Sequence, residues 1–348
     1  MKVDVEAVET ELARLQRELT NSEVRTSLFN LVVMSPDAER AMVDEALTYM
    51  LGKRAARVIH IVNKPAAESD LEVSARCFVD HEHKGVCFEE IIITNGADGA
   101  GGAPGSWIPL LVRDIPTYVL WLDTLTDKEE LFSHAQAQAD KVIVDSDHCV
   151  ELGDHPDAVL RVLAENAVDE GVPTADFSWK RLRPHRRLAA AAFEGEEHAS
   201  WLAEVARVDI CGLRPVAARL YGLWLAERLG WTPVAASRGG GAAEDAAQGQ
   251  RADSAVEPID RYRDPHGREV DVARSAHGAD DEVAVTVTLT DGRTLTITAA
   301  ANGCVDVELP DGSEEPVVSI PSNGEILLEE VDAVYADDLY RKALELVR

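Results

Sequence analysis

What most limits how this chain can fold is a set of short runs, apolar at nearly every position, that alternate with helical stripes. PTYVLWL (116–122) and KVIVDS (141–146) offer little polar face, so strands built from them need cover on both sides, as the strands of an α/β sheet have. VRTSLFNLVVM (24–34), ARVIHIV (56–62), LEVSARCFV (71–79) and FEEIIIT (88–94) supply further strands, the last two joined by a hairpin turn at DHEHKG. Ser35-Pro36 opens a helix over 37–51, and helices are also expected at 106–112 and 127–139. Val5, Val8, Leu12, Leu15 and Leu19 form one helical stripe, which predicts a lead-in helix within 1–20. An α/β domain carrying a glycine-rich loop is expected over 21–150.

The remainder reads differently. Residues 155–232 are helical in pattern and rich in Ala, Leu and Arg, with Pro215 at a first turn and Gly230 where a C-terminal cap belongs. Residues 237–254, SRGGGAAEDAAQGQRADS, have no large apolar side chain and are expected to be a mobile insertion. VAVTVTL, TLTITA, CVDVEL and PVVSI alternate in polarity and are separated by Asp291-Gly292, Asn302-Gly303 and Asp311-Gly312, which predicts an antiparallel meander within a sheet spanning 266–320. A helix over 326–347 with Leu328, Val331, Tyr335, Leu339, Ala343 and Leu346 on one face is expected to cover it. The architecture expected is therefore α/β plus α+β: an N-terminal mixed sheet covered by helices, then a helical segment and an antiparallel meander with a C-terminal helix, the second domain running over 151–348.

Composition excludes several functions. A net charge of −29 argues against nonspecific nucleic-acid binding, which needs clustered cations. From Ala276 to Tyr340 the only base is Arg293, so the acidity is concentrated near the C-terminus. No apolar stretch reaches the roughly 20 residues of a membrane span, and acids occupy the N-terminal segment where a signal peptide is apolar, so a cytoplasmic protein is expected. The five cysteines, Cys77, Cys87, Cys149, Cys211 and Cys304, form no CxxC pair and read as reduced thiols. Cys77 and Cys87 flank the hairpin turn, so strands joined there would set them side by side; they are the pair to test for redox sensing.

The loop between FEEIIIT and PTYVLWL, NGADGAGGAPGSW, has the glycines of a nucleotide site but not its chemistry. No lysine lies between Lys84 and Lys128, which removes a P-loop. Pro104 occupies the position where a dinucleotide fingerprint starting at Gly99 and Gly101 needs glycine, and it removes a backbone donor. No G-x-S-x-G elbow or H-E-x-x-H helix occurs. His81, His83 and Cys87 could ligate zinc but have no fourth ligand nearby, and a polar hairpin tip explains them equally. Asp145, Asp147, His148, Asp154 and His155 cannot form an EF-hand, because Cys149 takes a ligand position and the sharp-turn glycine is missing; capping of local turns is the alternative. No metal and no cofactor is expected. The loop reads as a shaped surface for another protein, with Trp107 as the aromatic most exposed; Trp121, Trp201, Trp224 and Trp231 read as core.

WKRLRPHRR, with Trp179, Lys180, Arg181, Arg183, His185, Arg186 and Arg187, is the strongest basic constellation in an acidic chain. Its guanidinium groups suit an acidic patch on a partner, a phosphorylated metabolite, or the protein's own carboxylates; sequence leaves all three open.

Taken in order, SLFNLVV, RAARVIHIV, CFEEIIIT, PLLVRDIPTYVLWLD, KVIVDS, ADFSWKRLRPHRRLAAAAF and ARLYGLWLAERLGW make the chain resemble the OpcA family, the glucose-6-phosphate dehydrogenase assembly proteins, over about residues 25–232. The most specific blocks are LLVRDIP, with Arg113, Asp114 and Pro116, and DFSWKRLRPHR, with Trp179, Arg181 and Arg187. The resemblance implies a non-catalytic partner of glucose-6-phosphate dehydrogenase that favours its active oligomer in the oxidative pentose phosphate pathway. Trp107, Arg113, Asp114, Pro116, Trp179, Arg181, Arg183 and Arg187 are the partner-binding residues this implies. The alternative is a sugar-phosphate-binding enzyme or sensor of the same pathway.

Overall fold

A computed structural model describes residues 3–20, 26–79, 85–169, 171–234, 259–275, 282–299, 305–309, 312–314, 319–333 and 335–347. The expected hairpin tip with His81 and His83, the 237–254 insertion, the Asn302-Gly303 turn, Cys304 and most of PVVSI lie outside them.

In chain order the elements are α1 (Val5–Thr20), β1 (Phe29–Pro36), α2 (Arg40–Met50), β2 (Ala56–Asn63), β3 (Asp70–Val79), β4 (Gly85–Asn95), α3 (Pro104–Trp107), β5 (Thr117–Trp121), α4 (Glu129–Gln136), β6 (Lys141–Val144), α5 (Ser146–Glu151), α6 (Pro156–Ala164), β7 (Thr174–Asp176) and α7 (Phe177–Arg181). There follow α8 (Arg183–Ala192), α9 (Glu196–Trp201), β8 (Val205–Cys211), α10 (Pro215–Leu229), β9 (Thr232–Pro233), β10 (Ile259–Arg263), β11 (Glu269–Ser275), β12 (Val283–Leu289), β13 (Thr294–Ala299), β14 (Val305–Leu309) and β15 (Gly312–Glu314). Helices α11 (Asn323–Asp332) and α12 (Asp338–Glu345) close the chain. It divides into two compact units, the first holding 1–181 and 321–344, the second 182–320. That division differs from the expected boundary at 150.

The first unit is built on a seven-stranded sheet of order β3-β4-β2-β1-β5-β6-β7. Every neighbouring pair is parallel except β3 with β4. Leaving out β3, this is the strand order of a doubly wound nucleotide-binding fold, with the order reversing between β1 and β5. Alternation along the strands sorts the two faces. Phe29, Leu31 and Val33 of β1, Val58 of β2, Phe88 of β4 and Leu120 of β5 point to one core, which α2 closes with Val43, Leu47 and Met50. The same core takes Ile326, Leu327 and Val331 of α11, so this helix covers the first sheet and not the meander as expected. A capping box starts α11, with Ser322 and Glu325 exchanging hydrogen bonds, and its stripe matches the gap beside α2.

Strand β3 takes the place of a crossover helix. It pairs with β4 in a register that sets Cys77 directly opposite Cys87, and the two are joined by a disulfide; their adjacency matches their flanking of the turn, but the bond corrects the reading of the cysteines as reduced thiols. Helix α1 forms as expected and lies along β3 and β4.

The second unit has an eight-stranded sheet of order β15-β14-β13-β12-β8-β11-β10-β9. Strands β12 to β15 are the meander, but the sheet is mixed, because β8 runs parallel to β11. VARVDIC was absorbed into an expected helical block, yet Val208 and Ile210 point inward at a period of two. Helix α10 ends at Gly230 in the left-handed conformation (φ 66°), and Trp231 N–H returns to the Ala226 carbonyl at 2.8 Å, the cap read from sequence.

Candidate functional site

Open α/β sheets take ligands outside the carboxyl ends of their strands, at the point where strand order reverses. In the first unit that region is occupied by the protein's own polar groups. Asn63, ending β2, donates to Asp123 Oδ2 at 2.5 Å, a bond joining strands on either side of β1. Lys128 Nζ pairs with the same carboxylate, and Thr124 N–H donates to its other oxygen at 2.8 Å. From the other side, Asn95 at the end of β4 donates to Asn63 Oδ1 at 2.7 Å and accepts from Gly102 N at 2.8 Å. One chain of hydrogen bonds therefore runs from Lys128 through Asp123, Asn63 and Asn95 into the glycine-rich loop.

The loop's donors are turned inward as well. Gly96 N donates to Ser69 Oγ, Ala97 N to the Ala67 carbonyl and Gly99 N to that of Gly96, and Ala100 N to Asp98. A Cβ at Gly101 would collide with the backbone of Thr94 and Asn95, so glycine serves here to let the loop lie against the end of β4. The end of β1 and the turn after it, Met34-Ser35-Pro36-Asp37-Ala38-Glu39, bring carboxylates, without glycine, to the point where a pyrophosphate would approach. A dinucleotide does not fit these residues.

Trp107 is fully buried, against the expectation that it is exposed. The loop folds back on the sheet and carries its indole inside. Arg57, buried in β2, bonds Glu89 of β4 at 2.6 Å and Glu9 of α1 at 2.6 Å, and donates to the Leu110 carbonyl at 3.0 Å.

The basic constellation falls on both sides of the boundary between units. Arg181 grips Asp145 with both guanidinium nitrogens, at 3.0 and 2.7 Å, and bonds Asn323 at the start of α11 at 2.6 Å. Trp179 is buried, donates to Asp337 at 2.9 Å and stacks near Tyr340 with ring centroids 5.3 Å apart. Lys180 pairs with Glu330 at 2.6 Å, and the buried Lys141 pairs with the same carboxylate. These groups latch α7 to the C-terminal helices, so Trp179 offers no surface to a partner and Arg181 only a small part of its guanidinium side chain. Arg183 is half-buried and Arg187 exposed.

The acids after β6 and β7 also act internally. Asp176 accepts from Ser146 Oγ at 2.7 Å, Ser178 N at 2.9 Å and Tyr340 Oη at 3.1 Å. Burial, followed by the nearby charges of Asp145 and Asp147, raises its pKa to about 7 against the stabilising Ser146 bonds. Asp154 accepts from Leu125 N at 2.6 Å. His155 caps α6 through Asp157 N. Among the described residues no group of three or more His, Cys, Asp or Glu is placed to hold a metal. Cys149 is buried, and burial pushes its thiol pKa well up, which makes it a poor nucleophile.

The segment that does face outward is Arg113-Asp114-Ile115-Pro116, at the amino end of β5. Arg113, Asp114 and Pro116 are exposed, and Asp114 has φ 63°, the one non-glycine residue with positive φ among those described. A buried asparagine, which sequence reasoning passed over, holds this turn. Asn30 in β1 donates from its amide to the Val112 carbonyl at 2.9 Å and accepts from Val112 N at 2.9 Å, while its backbone N–H donates to the Pro116 carbonyl at 2.8 Å. Asp140 closes the far end by accepting from Thr117 N at 2.8 Å. The readable signal was one amide inside the apolar run LFNLVV.

Fold and site together define a two-unit protein: a doubly wound sheet whose usual ligand edge is closed by its own side chains, a mixed sheet lined by helices, and a rigid outward turn. Family models described as the N-terminal and C-terminal domains of a glucose-6-phosphate dehydrogenase subunit match residues 49–165 and 172–344. The chain belongs to the OpcA family. An OxPP cycle protein OpcA of Synechocystis is 29% identical over 211 residues, 58% of this chain and 42% of that protein. Its counterpart in Nostoc punctiforme is 34% identical over 168 residues, 47% of this chain and 35% of that protein; the chain matches less than half the length of these relatives. Among solved structures, a dehydrogenase from Chromobacterium violaceum is similar with a TM-score of 0.47 at 10% identity, covering 93% of each chain. UDP-N-acetylglucosamine 3-dehydrogenase from Acidithiobacillus ferrooxidans has a TM-score of 0.47 at 10% identity, covering 92% of this chain and 96% of that one.

Proposed function

We propose that this chain is a non-catalytic cytoplasmic partner of glucose-6-phosphate dehydrogenase that binds the active oligomer of that enzyme more tightly than its other forms. A protein with such differential affinity shifts the enzyme's population without making or breaking a bond, and a coupling of about 1–3 kcal/mol changes apparent affinity roughly 5- to 150-fold. The observation that carries the reading is the Arg113–Pro116 turn. It is exposed, strained at Asp114 and held by the buried Asn30 of β1, while Asp140, just ahead of β6, accepts from Thr117 N–H where β5 begins. Strain kept at a surface turn is a mark of function, and a rigid turn enters an interface with little ordering cost. Arg113 offers an arginine fork and Asp114 a carboxylate on that turn. Arg187, exposed in the second unit, is the second contact proposed, and Arg183 beside it contributes through its exposed part. Trp107, Trp179 and Arg181 are engaged inside the first unit and are not among the contacts proposed.

The test is co-purification and kinetics with the dehydrogenase of the same organism. Charge reversal by Arg113→Glu, and separately Arg187→Glu, weakens the complex at least several-fold while the fold is retained; undiminished binding by both variants removes these residues from the interface.

One observation favours a second reading, a sugar-phosphate sensor. A cleft of about 500 Å³ beside α2 is lined by Arg40, Asp44, His60, Ser74, Arg76 and Glu90. Its cations are already spoken for: Arg76 pairs with Asp44 at 2.5 Å and Glu90 at 3.1 Å, and Arg40 lies 4.0 Å from Asp37. Burial, and then Arg40 and Arg76, lower the His60 pKa to about 4, so it adds no positive charge. Calorimetry of the isolated chain with glucose 6-phosphate and 6-phosphogluconate separates the readings, since tight binding without the dehydrogenase would favour the sensor.

A further inference from the structure

In the second unit a cavity of about 230 Å³ opens between α8, α10 and the inner face of the sheet. Its floor is Val205 and Val208 of β8, Val287 of β12 and the indoles of Trp224 and Trp231, all buried. Trp231 reaches the cavity because the left-handed cap at Gly230 turns the chain back beneath α10. The rim is Phe193, Leu229 and Arg228. An engineered apolar cavity of roughly 150 Å³ admits benzene, so this one has room for a somewhat larger apolar group.

Two features decide the class of occupant. Apolar walls left without a partner destabilise a fold in proportion to the volume left open, which favours an apolar body over water. Arg228 is exposed on the rim, and among the described residues it makes no ion pair, in a chain with 63 acids against 34 Lys and Arg. A guanidinium in that position recognises a carboxylate through two parallel hydrogen bonds.

We propose that this cavity binds a small amphiphilic carboxylate, with an alkyl tail of about six to eight carbons or a substituted phenyl ring lying against Trp224 and Trp231 and its head group on Arg228. The site is independent of the surface proposed for the dehydrogenase and would remain if that assignment failed.

Octanoate and 3-phenylpropionate are titrated into the full chain, following melting temperature and indole fluorescence, with 1-octanol and acetate for comparison. Both carboxylates give a saturable rise in melting temperature and a change in indole emission, octanol binds roughly 5- to 10-fold more weakly, and acetate has no effect. Arg228→Gln, a surface change that leaves the core intact, brings octanoate down to the affinity of octanol. Ala189→Leu, which projects into the cavity, abolishes the response. No saturable signal from either carboxylate up to about 10 mM, weaker than any affinity worth −3 kcal/mol, overturns the proposal, as does an unchanged octanoate response in Arg228→Gln.

Discussion

The two edges of the first sheet are built for opposite purposes. At the carboxyl edge, Asp123, Asn63, Asn95 and Lys128 bond to one another and to the glycine-rich loop, and the loop's amides point into the protein. At the amino edge, Asn30 and Asp140 hold a turn outward and leave Arg113 and Asp114 in solvent. Both edges spend buried polar groups on rigidity. One uses them to close a site that this strand order ordinarily opens, and the other to fix an exposed turn. A fold therefore does not fix which edge is closed; the placement of a few buried amides and carboxylates does.

Substitutions at the two edges can break or sharpen that contrast. The largest effect is expected from Asp123→Ala, which strands a buried amide and an ammonium group and lowers stability by about 2–4 kcal/mol in urea unfolding. At temperatures where it remains folded, its effect on the dehydrogenase is unchanged, since the edge it damages faces inward. Asn30→Ala removes both side-chain bonds to Val112 and is expected to cost about 1–3 kcal/mol, but here stability and dehydrogenase activation fall together. If Asn30→Ala lost stability alone, the amino edge would be structural like the other.

A separate effect, spread over the pH range rather than caused by a substitution, concerns Asp176. Asp176 has a pKa raised to about 7 in the folded chain, against about 3.9 unfolded. Between those values the unfolded chain gives up the proton first, so stability attributable to this group is full below pH 4 and declines as pH rises towards 7, by at most about 1.4 kcal/mol per unit. Asp176→Asn removes that decline, and the difference between the two unfolding curves measures it. Smallest is Asp114→Gly, which relieves positive φ and leaves stability unchanged or raises it by up to about 1 kcal/mol, while a looser turn weakens the complex.

Much of the fold was legible because the first sheet's strands are apolar on both faces and its helices have clear stripes. That Cys77 and Cys87 would lie side by side was legible because they flank a hairpin turn, but the disulfide between them was not, since composition alone read the thiols as reduced. Strand β8 was not legible, since Ala and Arg around it gave the surroundings a helical composition and its inward Val208 and Ile210 make a short signal. The destination of α11 was equally hidden: an apolar stripe states that a helix is covered, not by which sheet. The RDIP block stood out through its resemblance, while Trp107 misled because glycine and proline neighbours mark a loop without saying whether it folds inward. Trp179 and Arg181 misled for a related reason: Asp145, Asn323 and Asp337 lie far away in sequence and meet them only in the folded chain.

The most direct test combines kinetics and size-exclusion of glucose-6-phosphate dehydrogenase from the same organism, with and without saturating amounts of this chain and its Arg113→Glu variant. A rise in apparent substrate affinity together with a shift to the larger oligomer, both diminished by Arg113→Glu, is the predicted result. An enzyme whose oligomer and rate stay the same at saturation would contradict it.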